Sequence, residues 1–272
     1  MKFGYTINNK LMMNSNGKLI GVDPYNPLNL PQGTIRVRTN DGQPPVNGHY
    51  DSATLVEGTT DVYDVYKSGD DLSLFLENSY NVVDVLGGNT NNITNMSTMF
   101  SHCSSLSSVS LFDTSNVSNM VDMFQTCISL SSVPLFNTRN VTNISDMFWD
   151  CNSLTTIPLF DTSNVTDTTF MFYKCNSLTS VPLLDTSNVL NMYGMFLHCD
   201  SLTTIPLFDV SNVTNMANAF NGCYNVQSGA LDLYREASSQ TNVTGHYGTF
   251  RDCGINTQTG SAELAQIPSD WK

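Results

Sequence analysis

The sequence has little charge, and positive charge is the scarcer kind. Only 13% of its 272 residues are charged, and 11 Lys and Arg stand against 24 Asp and Glu, so the formal net charge is −13. Nucleic acids and anionic membrane surfaces are bound through clusters of Lys and Arg. The composition therefore argues against nucleic acid and against an anionic membrane as partners.

Long apolar runs are missing as well. No stretch approaches the roughly 18 consecutive apolar residues of a membrane-spanning helix, so we expect no membrane insertion. The segment Met1–Asn8 has no apolar core of the kind found in a secretory signal, and no lipobox-like cysteine lies near the start. Export would then require a leader that has been removed, or another route such as virion assembly inside a cell.

Motifs of catalysis and cofactor binding are also missing. The sequence has no Gly-rich phosphate loop and no paired-histidine metal motif. None of the four histidines has a Ser or Cys partner at a recognised catalytic spacing; they are His49, His102, His198 and His246. We therefore predict a protein that is not an enzyme and that uses no cofactor and no metal.

What the sequence does contain is a repeat. From residue 92 to residue 223, several columns of residues recur every 24 positions without a gap. The cysteine column is Cys103, Cys127, Cys151, Cys175, Cys199 and Cys223, and the phenylalanine column is Phe100, Phe124, Phe148, Phe172, Phe196 and Phe220. A fixed period in this range is the signature of a solenoid, in which each unit stacks on the next.

One unit contains the signals for two elements. In Val117–Cys127 the apolar residues fall at helical spacing, and the preceding Asp113–Asn116 offers side chains that cap helices. The segment Leu130–Leu135 is short, branched and partly alternating, which favours a strand. One strand and one short helix per unit predict an α/β solenoid with a parallel β-sheet on one face and short helices on the other.

The repeat resembles that of a known family. The frame N-V-T-N-M-x-x-M-F-x-x-C-x-S-L-T-x-I-P-L-F-D-T-S is similar to the repeat of BspA-like leucine-rich-repeat proteins. Such repeats occur in mycoplasma lipoproteins, in surface proteins of gut bacteria, and in gut phage and prophage proteins. The resemblance is close over residues 89–223. It implies a leucine-rich-repeat-type solenoid and an adhesive, extracellular protein, placed on a bacterial cell surface or on a virion.

The chain divides into four parts by pattern. Residues 1–50 predict a small β-rich N-terminal module for attachment or capping, and residues 51–88 predict a transitional capping repeat. Regular 24-residue repeats fill residues 89–223. Residues 224–272 predict irregular repeats and a C-terminal cap, because the frame stretches there and end units of a solenoid are atypical.

Within the two end regions, single segments carry specific expectations. Short strands are predicted at Phe3–Asn8, at Lys18–Val22 and, from its alternation, at Thr34–Thr39. The composition of residues 230–240 is helical, and residues 264–268 look like a last copy of the repeat. Trp271 is expected to cover the final open coil.

Three polar columns are interpreted as structural. All seven cysteines lie in one column, which favours buried free thiols over disulfides or a zinc site. We interpret the aspartate column as acceptors of backbone N–H bonds at helix starts rather than as calcium ligands, and the asparagine column as a coil-to-coil ladder. The two columns are Asp113, Asp161, Asp185 and Asp209, and Asn92, Asn116, Asn140, Asn164, Asn188, Asn212 and Asn242.

Two surfaces are candidates for binding. A second aromatic column, Phe112, Phe136, Phe160, Leu184 and Phe208, is either an exposed strip or core, and core is the better interpretation. The second surface is the end of each predicted helix, just before each cysteine, where the residues differ from unit to unit. The candidate ligand-binding residues there are Trp149, Phe170, Tyr173, Tyr193 and His198. Drift at solvent positions would explain the same variation.

These patterns favour a non-catalytic binding or adhesion protein. Its solenoid would present a recognition surface to a cell-surface glycan or protein, for example as a receptor-binding protein of a phage tail. The N-terminal module would dock to a virion or cell-envelope protein. The alternative is a structural spacer or assembly scaffold of a bacterial surface or virion, with no ligand of its own.

Overall fold

The first described strands form a small hairpin. The structure is a computed structural model that describes residues 30–272 and, ahead of them, two short strands. Strand β1 (Thr6–Ile7) pairs antiparallel with β2 (Lys10–Leu11). The strand expected at Phe3–Asn8 is thus present at Thr6–Ile7, and the rest of that segment lies outside the described residues. The strand predicted at Lys18–Val22 lies outside the described residues.

A five-stranded sheet joins the segment from residue 34 to the first repeats. Its order is β4-β5-β3-β6-β7, and the strands are β3 (Thr34–Thr39), β4 (Ser52–Leu55), β5 (Val62–Tyr66), β6 (Val82–Asn89) and β7 (Ser108–Val109). The predicted strand at 34–39 is confirmed, with Ile35 and Val37 buried and Arg36 ion-paired to Asp64 at 2.6 Å. Since β3 pairs with both β5 and β6, the predicted boundary at residue 50 falls inside one sheet.

Successive 24-residue units are joined by a regular pattern of hydrogen bonds. The pattern begins at Leu72, whose amide donates to the carbonyl of Asn95 at 2.9 Å, within the transitional capping repeat predicted for residues 51–88. Alternate amides of one unit donate to carbonyls of the next at 2.7–3.0 Å; the donors Met96, Thr98, Phe100 and His102 pair with Asn119, Val121, Met123 and Gln125. The intervening amides close tight turns within their own unit.

The prediction of short helices in segments such as Val117–Cys127 is wrong, because these segments form turns. Asp122 and Thr126 both have left-handed backbones, with φ of 58°, and an α-helix cannot continue through such residues. Turns that bond residue i to residue i+3 also bury a residue every three or four positions, so their pattern imitates a helical one. Among the described residues, α-helices occur only in α1 (Ala230–Ser239) and α2 (Gln258–Gln266).

The predicted parallel sheet is reduced to isolated contacts. Strand β6 pairs parallel with β7 at two residue pairs. Some later units keep a single amide bond at this level, for example Thr155 to Ser131 at 3.2 Å and Thr179 to Thr155 at 3.2 Å, and the last pair keeps two, Gln227 to Thr203 at 2.8 Å and Ile205 to Ser228 at 3.0 Å. Prolines follow in each of these units at positions such as Pro134 and Pro158, and proline has no N–H to donate to a ladder.

The core consists of stacked columns. Phe148 is fully buried and lies 5.7 Å, centroid to centroid, from both Phe124 and Phe172 with ring planes 3° apart. The second phenylalanine column is also buried, so its interpretation as core is confirmed; its members are Phe112, Phe136, Phe160, Leu184 and Phe208. One apolar cluster extends from Ile35 to Trp271.

Buried cysteines and surface asparagines link neighbouring units. All seven cysteines are free and buried, which confirms the ladder of thiols. The thiol of Cys151 donates to the carbonyl of Phe124 at 3.0 Å, and five other cysteines repeat this bond. The Asn164 side chain donates to the Arg139 carbonyl at 2.8 Å, so the asparagine ladder is confirmed as well.

The aspartate column accepts backbone amides, as expected, although no helix follows it. Asp185 accepts from the Ser187 amide at 3.0 Å, and Asp113, Asp161 and Asp209 bond the amide two residues ahead in the same way. Asn137 replaces aspartate in this column and still accepts the Arg139 amide at 3.2 Å. These are side-chain turns rather than helix caps.

The C-terminal end is closed by two helices and a tryptophan. Helix α1 falls on the segment with helical composition, whereas residues 264–268 do not form another repeat, because Leu264 lies in α2. The Phe250 amide donates to the carbonyl of Trp271 at 2.9 Å, and the Trp271 ring stacks on His246 at 4.3 Å. Trp271 is buried and covers the last unit, as predicted.

Candidate functional site

The site residues predicted from sequence come together on the turn side of three units. The ring centroids of Trp149 and Tyr173, which occupy equivalent positions of neighbouring units, are 4.3 Å apart. Phe170 lies 5.0 Å from Trp149 and 4.9 Å from Tyr193. All four side chains are partly exposed. We call these four residues the aromatic cluster.

His198 and Lys174 lie at the edge of the aromatic cluster. The His198 ring is 6.2 Å from the Tyr173 ring, and the Lys174 ammonium lies 5.2 Å from the centre of that ring. His198 is thus a neighbour of the cluster through Tyr173. A cation over an aromatic face is attracted by the ring quadrupole, so Lys174 helps to orient Tyr173.

Phe170 has an unusual backbone. Its φ is 50°, in the left-handed region that this position adopts in every described unit, where the other residues include Leu74, Thr98, Asp122, Asp146, Gly194 and Asn218. A bulky residue with positive φ is an outlier that costs on the order of 1–3 kcal/mol, and such strain gathers at functional sites. Gly194 makes the arrangement possible, because a Cβ there would lie 2.5 Å from the Phe170 ring.

Two carboxylic acids precede Phe170 in the same column. Burial raises the pKa of Asp122, whose carboxylate accepts a bond from the Gln125 amide group at 2.8 Å. Burial, with Asp122 and Asp167 nearby, raises the pKa of Asp146 to about 7. The aromatic cluster is therefore flanked by a carboxyl group that is half-protonated near neutral pH. The sequence analysis did not identify either residue. Each lies three residues before a variable slot, Asp122 before Gln125 and Asp146 before Trp149, and this spacing could have pointed to them.

The described residues show little that supports catalysis. No group of His, Cys, Asp and Glu there can hold a metal ion. Burial raises the pKa of Cys103 to about 12, so this thiol stays protonated and is a poor nucleophile. Ser101 Oγ does lie 2.8 Å from His102 Nδ1, a pair not expected from sequence, but Ser101 is 1% exposed and a substrate cannot reach it.

Rings of this kind suit a ligand with flat or weakly polar faces. Aromatic side chains bind sugar rings and apolar loops through their faces, and carboxyl groups can bond to hydroxyls. Part of each ring surface is already in contact with protein, since the cluster rings pack edge to face on one another.

No helix of residues 30–272 is long and apolar enough to cross a bilayer.

The 24-residue units, their stacked phenylalanines and their coil-to-coil bonds are those of a leucine-rich-repeat type of protein. The family described as "Mycoplasma protein of unknown function, DUF285" matches residues 71–183 and 179–243, more than half of the chain. The chain belongs to this family of BspA-like repeats. No curated protein matches the sequence.

Solved structures of leucine-rich repeat proteins are similar to this chain. A leucine-rich repeat protein from Eubacterium ventriosum has 18% identity and a TM-score of 0.45 over 71% of this chain and 48% of that protein. A leucine-rich repeat protein from T. pallidum has 22% identity and a TM-score of 0.41 over 57% of this chain and 69% of that protein. The chain thus spans about half the length of the Eubacterium protein.

Proposed function

We propose that the protein is a non-catalytic binding or adhesion protein whose aromatic cluster contacts a cell-surface glycan or protein. The observation that carries this proposal is Phe170, a strained and partly exposed residue at the centre of Trp149, Tyr173 and Tyr193. Stability gives no reason for an aromatic residue at this left-handed position, which in other units holds Leu, Thr, Asp, Gly or Asn. A ligand that stacks on the cluster would give one.

Of the two proposed ligands, a cell-surface glycan and a cell-surface protein, the chemistry of the aromatic cluster favours the glycan. Trp149 and Tyr173 offer faces for a sugar ring, and Asp146 beside them offers an acceptor for hydroxyl groups. Membership of the family supports a surface location, so we place the protein outside the cell, on a bacterial surface or on a virion such as a phage tail. In either place, the N-terminal region would attach it to an envelope or virion protein.

The first test removes the cluster without touching the core. We expect Trp149→Ser with Tyr173→Ser to reduce attachment to target cells or to a glycan array at least tenfold, with the melting temperature nearly unchanged. Tyr247→Ser is the matched control, because Tyr247 is an exposed aromatic outside the cluster, in the column of Tyr193. Equal binding by the double variant and the wild type would contradict the proposal.

A second variant separates strain from binding. In Phe170→Asn, relief of the left-handed strain, about 1–3 kcal/mol, offsets much of the loss of three ring contacts, about 0.5–1.5 kcal/mol each. Asn218 adopts this conformation at the equivalent position, with φ of 58°, so the variant should fold normally. We expect binding to fall and the melting temperature to stay close to that of the wild type.

A structural spacer remains the second candidate. The observation that favours it is the packing of the rings on each other, with Phe170 edge-on to Trp149 at 71° and to Tyr193 at 81°. In that case the cluster stabilises three neighbouring units and has no ligand. The Trp149 and Tyr173 variant would then lower the melting temperature clearly and leave attachment unchanged.

A further inference from the structure

Leucine side chains form a strip on the outside of the stacked units. Four of them are 58–61% exposed and the first is half-buried. The residues of this leucine strip are Leu111, Leu135, Leu159, Leu183 and Leu207. Exposed slots such as that of Trp149 vary from unit to unit, but this one holds leucine five times in succession. The strip begins ten residues after the variable slots, so it is separate from the aromatic cluster along each unit.

The backbone explains why these leucines face solvent. The amide of Phe136 donates to the carbonyl of Pro134 at 2.9 Å, and Phe160 and Phe208 bond the proline two residues earlier in the same way. A bond between residues i and i+2 bends the chain sharply at the residue between them. The phenylalanine therefore enters the core, and the leucine before it is turned outward. In a regular strand, Leu135 would instead lie on the same face as Val133, which is buried.

Carboxylates share the surface depressions of the strip. One depression of about 480 Å³ is lined by Leu135, Leu159 and Asp161, and another of about 330 Å³ by Leu207 and Asp209. Hydrogen bonds from Ser163 and Ser211 hold the pKa of Asp161 and of Asp209 below the ordinary value, so both groups are charged at neutral pH. The surface is thus apolar along its centre and negative along one side.

The spacing of the units selects the shape of a partner. Stacked phenylalanine rings of neighbouring units are 5.7 Å apart at Phe124 and Phe148, and 5.2 Å at Phe172 and Phe196. An α-helix repeats one face every 5.4 Å, so it can keep one apolar side chain against each unit. The same face of a β-strand repeats about every 6.6–6.8 Å and would drift by roughly one unit over four steps.

We propose that the leucine strip binds a basic amphipathic α-helix of another protein. The four steps between Leu111 and Leu207 span about 22 Å, which corresponds to about 15 helical residues. The apolar face of this helix lies on the leucines, and its Lys and Arg side chains meet Asp161, Asp185 and Asp209. Recognition of this kind places an amphipathic helix in an apolar groove.

A second copy of this chain fits the strip less well. The exposed part of five leucines amounts to on the order of 500 Å², whereas each partner of a stable dimer buries roughly 800 Å². Each copy would also bring its own aspartate column to the contact, and the chain carries a net charge of −13. Like charges across an interface are unfavourable, so a basic partner is the better complement.

The test uses a synthetic peptide as the probe. A labelled peptide of about 16 residues, made of Leu, Lys and Ala with the leucines on one helical face, is titrated with the full chain by fluorescence anisotropy. A second peptide with the same composition has its leucines spread around the helix. We expect the amphipathic peptide to bind at least tenfold more tightly than the shuffled one.

Matched variants locate the site. Leu159→Ser with Leu183→Ser should weaken peptide binding at least tenfold, whereas Ile128→Ser with Leu190→Ser, exposed apolar residues outside the strip, should not. Asp161→Asn with Asp185→Asn should weaken binding and reduce its salt dependence. This pair keeps the local turns, because Asn137 accepts the same backbone bond in its unit. Loss of the aromatic cluster in Trp149→Ser should leave peptide binding unchanged.

Four results would overturn the proposal. They are equal affinity for the two peptides, equal losses in the strip and control variants, unchanged binding by the strip variant, and a wild-type dimer in solution that the strip variant dissociates. The last result would assign the strip to a second copy. Different variants test the aromatic cluster, so failure of the leucine-strip proposal would leave the adhesion proposal untouched.

Discussion

Replacing Phe148 by alanine tests the stacked core most directly. Its ring is fully buried between Phe124 and Phe172, at 5.7 Å from each, and it also lies 6.4 Å from Phe160. Removal of a buried phenylalanine ring loses its transfer free energy and leaves a cavity, which together cost about 3–5 kcal/mol. Because the rings on both sides are held by their own units, we expect little collapse into the cavity and a cost near the upper end.

The assay is thermal unfolding followed by near-ultraviolet circular dichroism and by calorimetry. At about 2–4 °C per kcal/mol for a chain of this size, Phe148→Ala should lower the melting temperature by about 6–20 °C. Leu159→Ala is the control from the same unit, because its side chain is exposed and should change stability by less than about 0.5 kcal/mol. A melting temperature equal to that of the wild type would refute the reasoning about the stacked core.

Two further predictions concern buried ionisable groups. The seven cysteines are buried and protonated, so a thiol reagent should label few of them in the native protein and all of them in denaturant; fast native labelling of most thiols would contradict the ladder. The pKa of Asp146 is raised to about 7 in the folded state, so its ionisation destabilises the fold progressively as pH rises from about 4 to about 7. Relative to the wild type, Asp146→Asn should therefore gain melting temperature between pH 4 and pH 8, and a gain that does not change with pH would show that Asp146 is not the cause.

The repeat made much of the interior predictable. Columns of cysteine, phenylalanine and asparagine that keep a fixed step must stack, and the chemistry of each residue then decides its role. Cys151 was expected to be a buried thiol because a single column cannot surround a metal ion, and the structure places it against a backbone carbonyl. Asn164 was expected to bridge two units because its amide matches a backbone carbonyl, and it does so.

The local backbone was not predictable from the same columns. The spacing of Met120, Met123 and Cys127 fits an α-helix and a series of tight turns equally well, and the left-handed backbones of Asp122 and Thr126 decide for turns. What favours the turns energetically is the neighbouring unit, whose carbonyls accept the amides that a helix would use internally. That partner is not visible in the sequence of one unit.

The candidate site was only partly predictable for a related reason. Trp149, Tyr173 and Tyr193 were found because they interrupt a repeat at solvent positions. Asp146 was missed, since its raised pKa arises from burial and from Asp122, which belongs to another unit. The leucine strip was missed because Leu135 alternates with Val133 as a buried strand residue would, and the bond from Phe136 to Pro134 reverses its direction.

The two proposed surfaces follow from one property of this fold. Its stability lies in columns that are repeated and buried, and alternate backbone amides of the turn segments are satisfied by the next unit rather than by side chains. Side chains at the outer positions, apart from the aspartate and asparagine columns, are therefore free of a structural role and can be changed unit by unit. An outer position is therefore informative when its residue is not one that stability and solvent exposure alone would favour. Phe170 departs by placing an aromatic ring at a left-handed position where Asn or Gly would be relaxed, and the leucine strip departs by staying apolar where solvent favours polar residues.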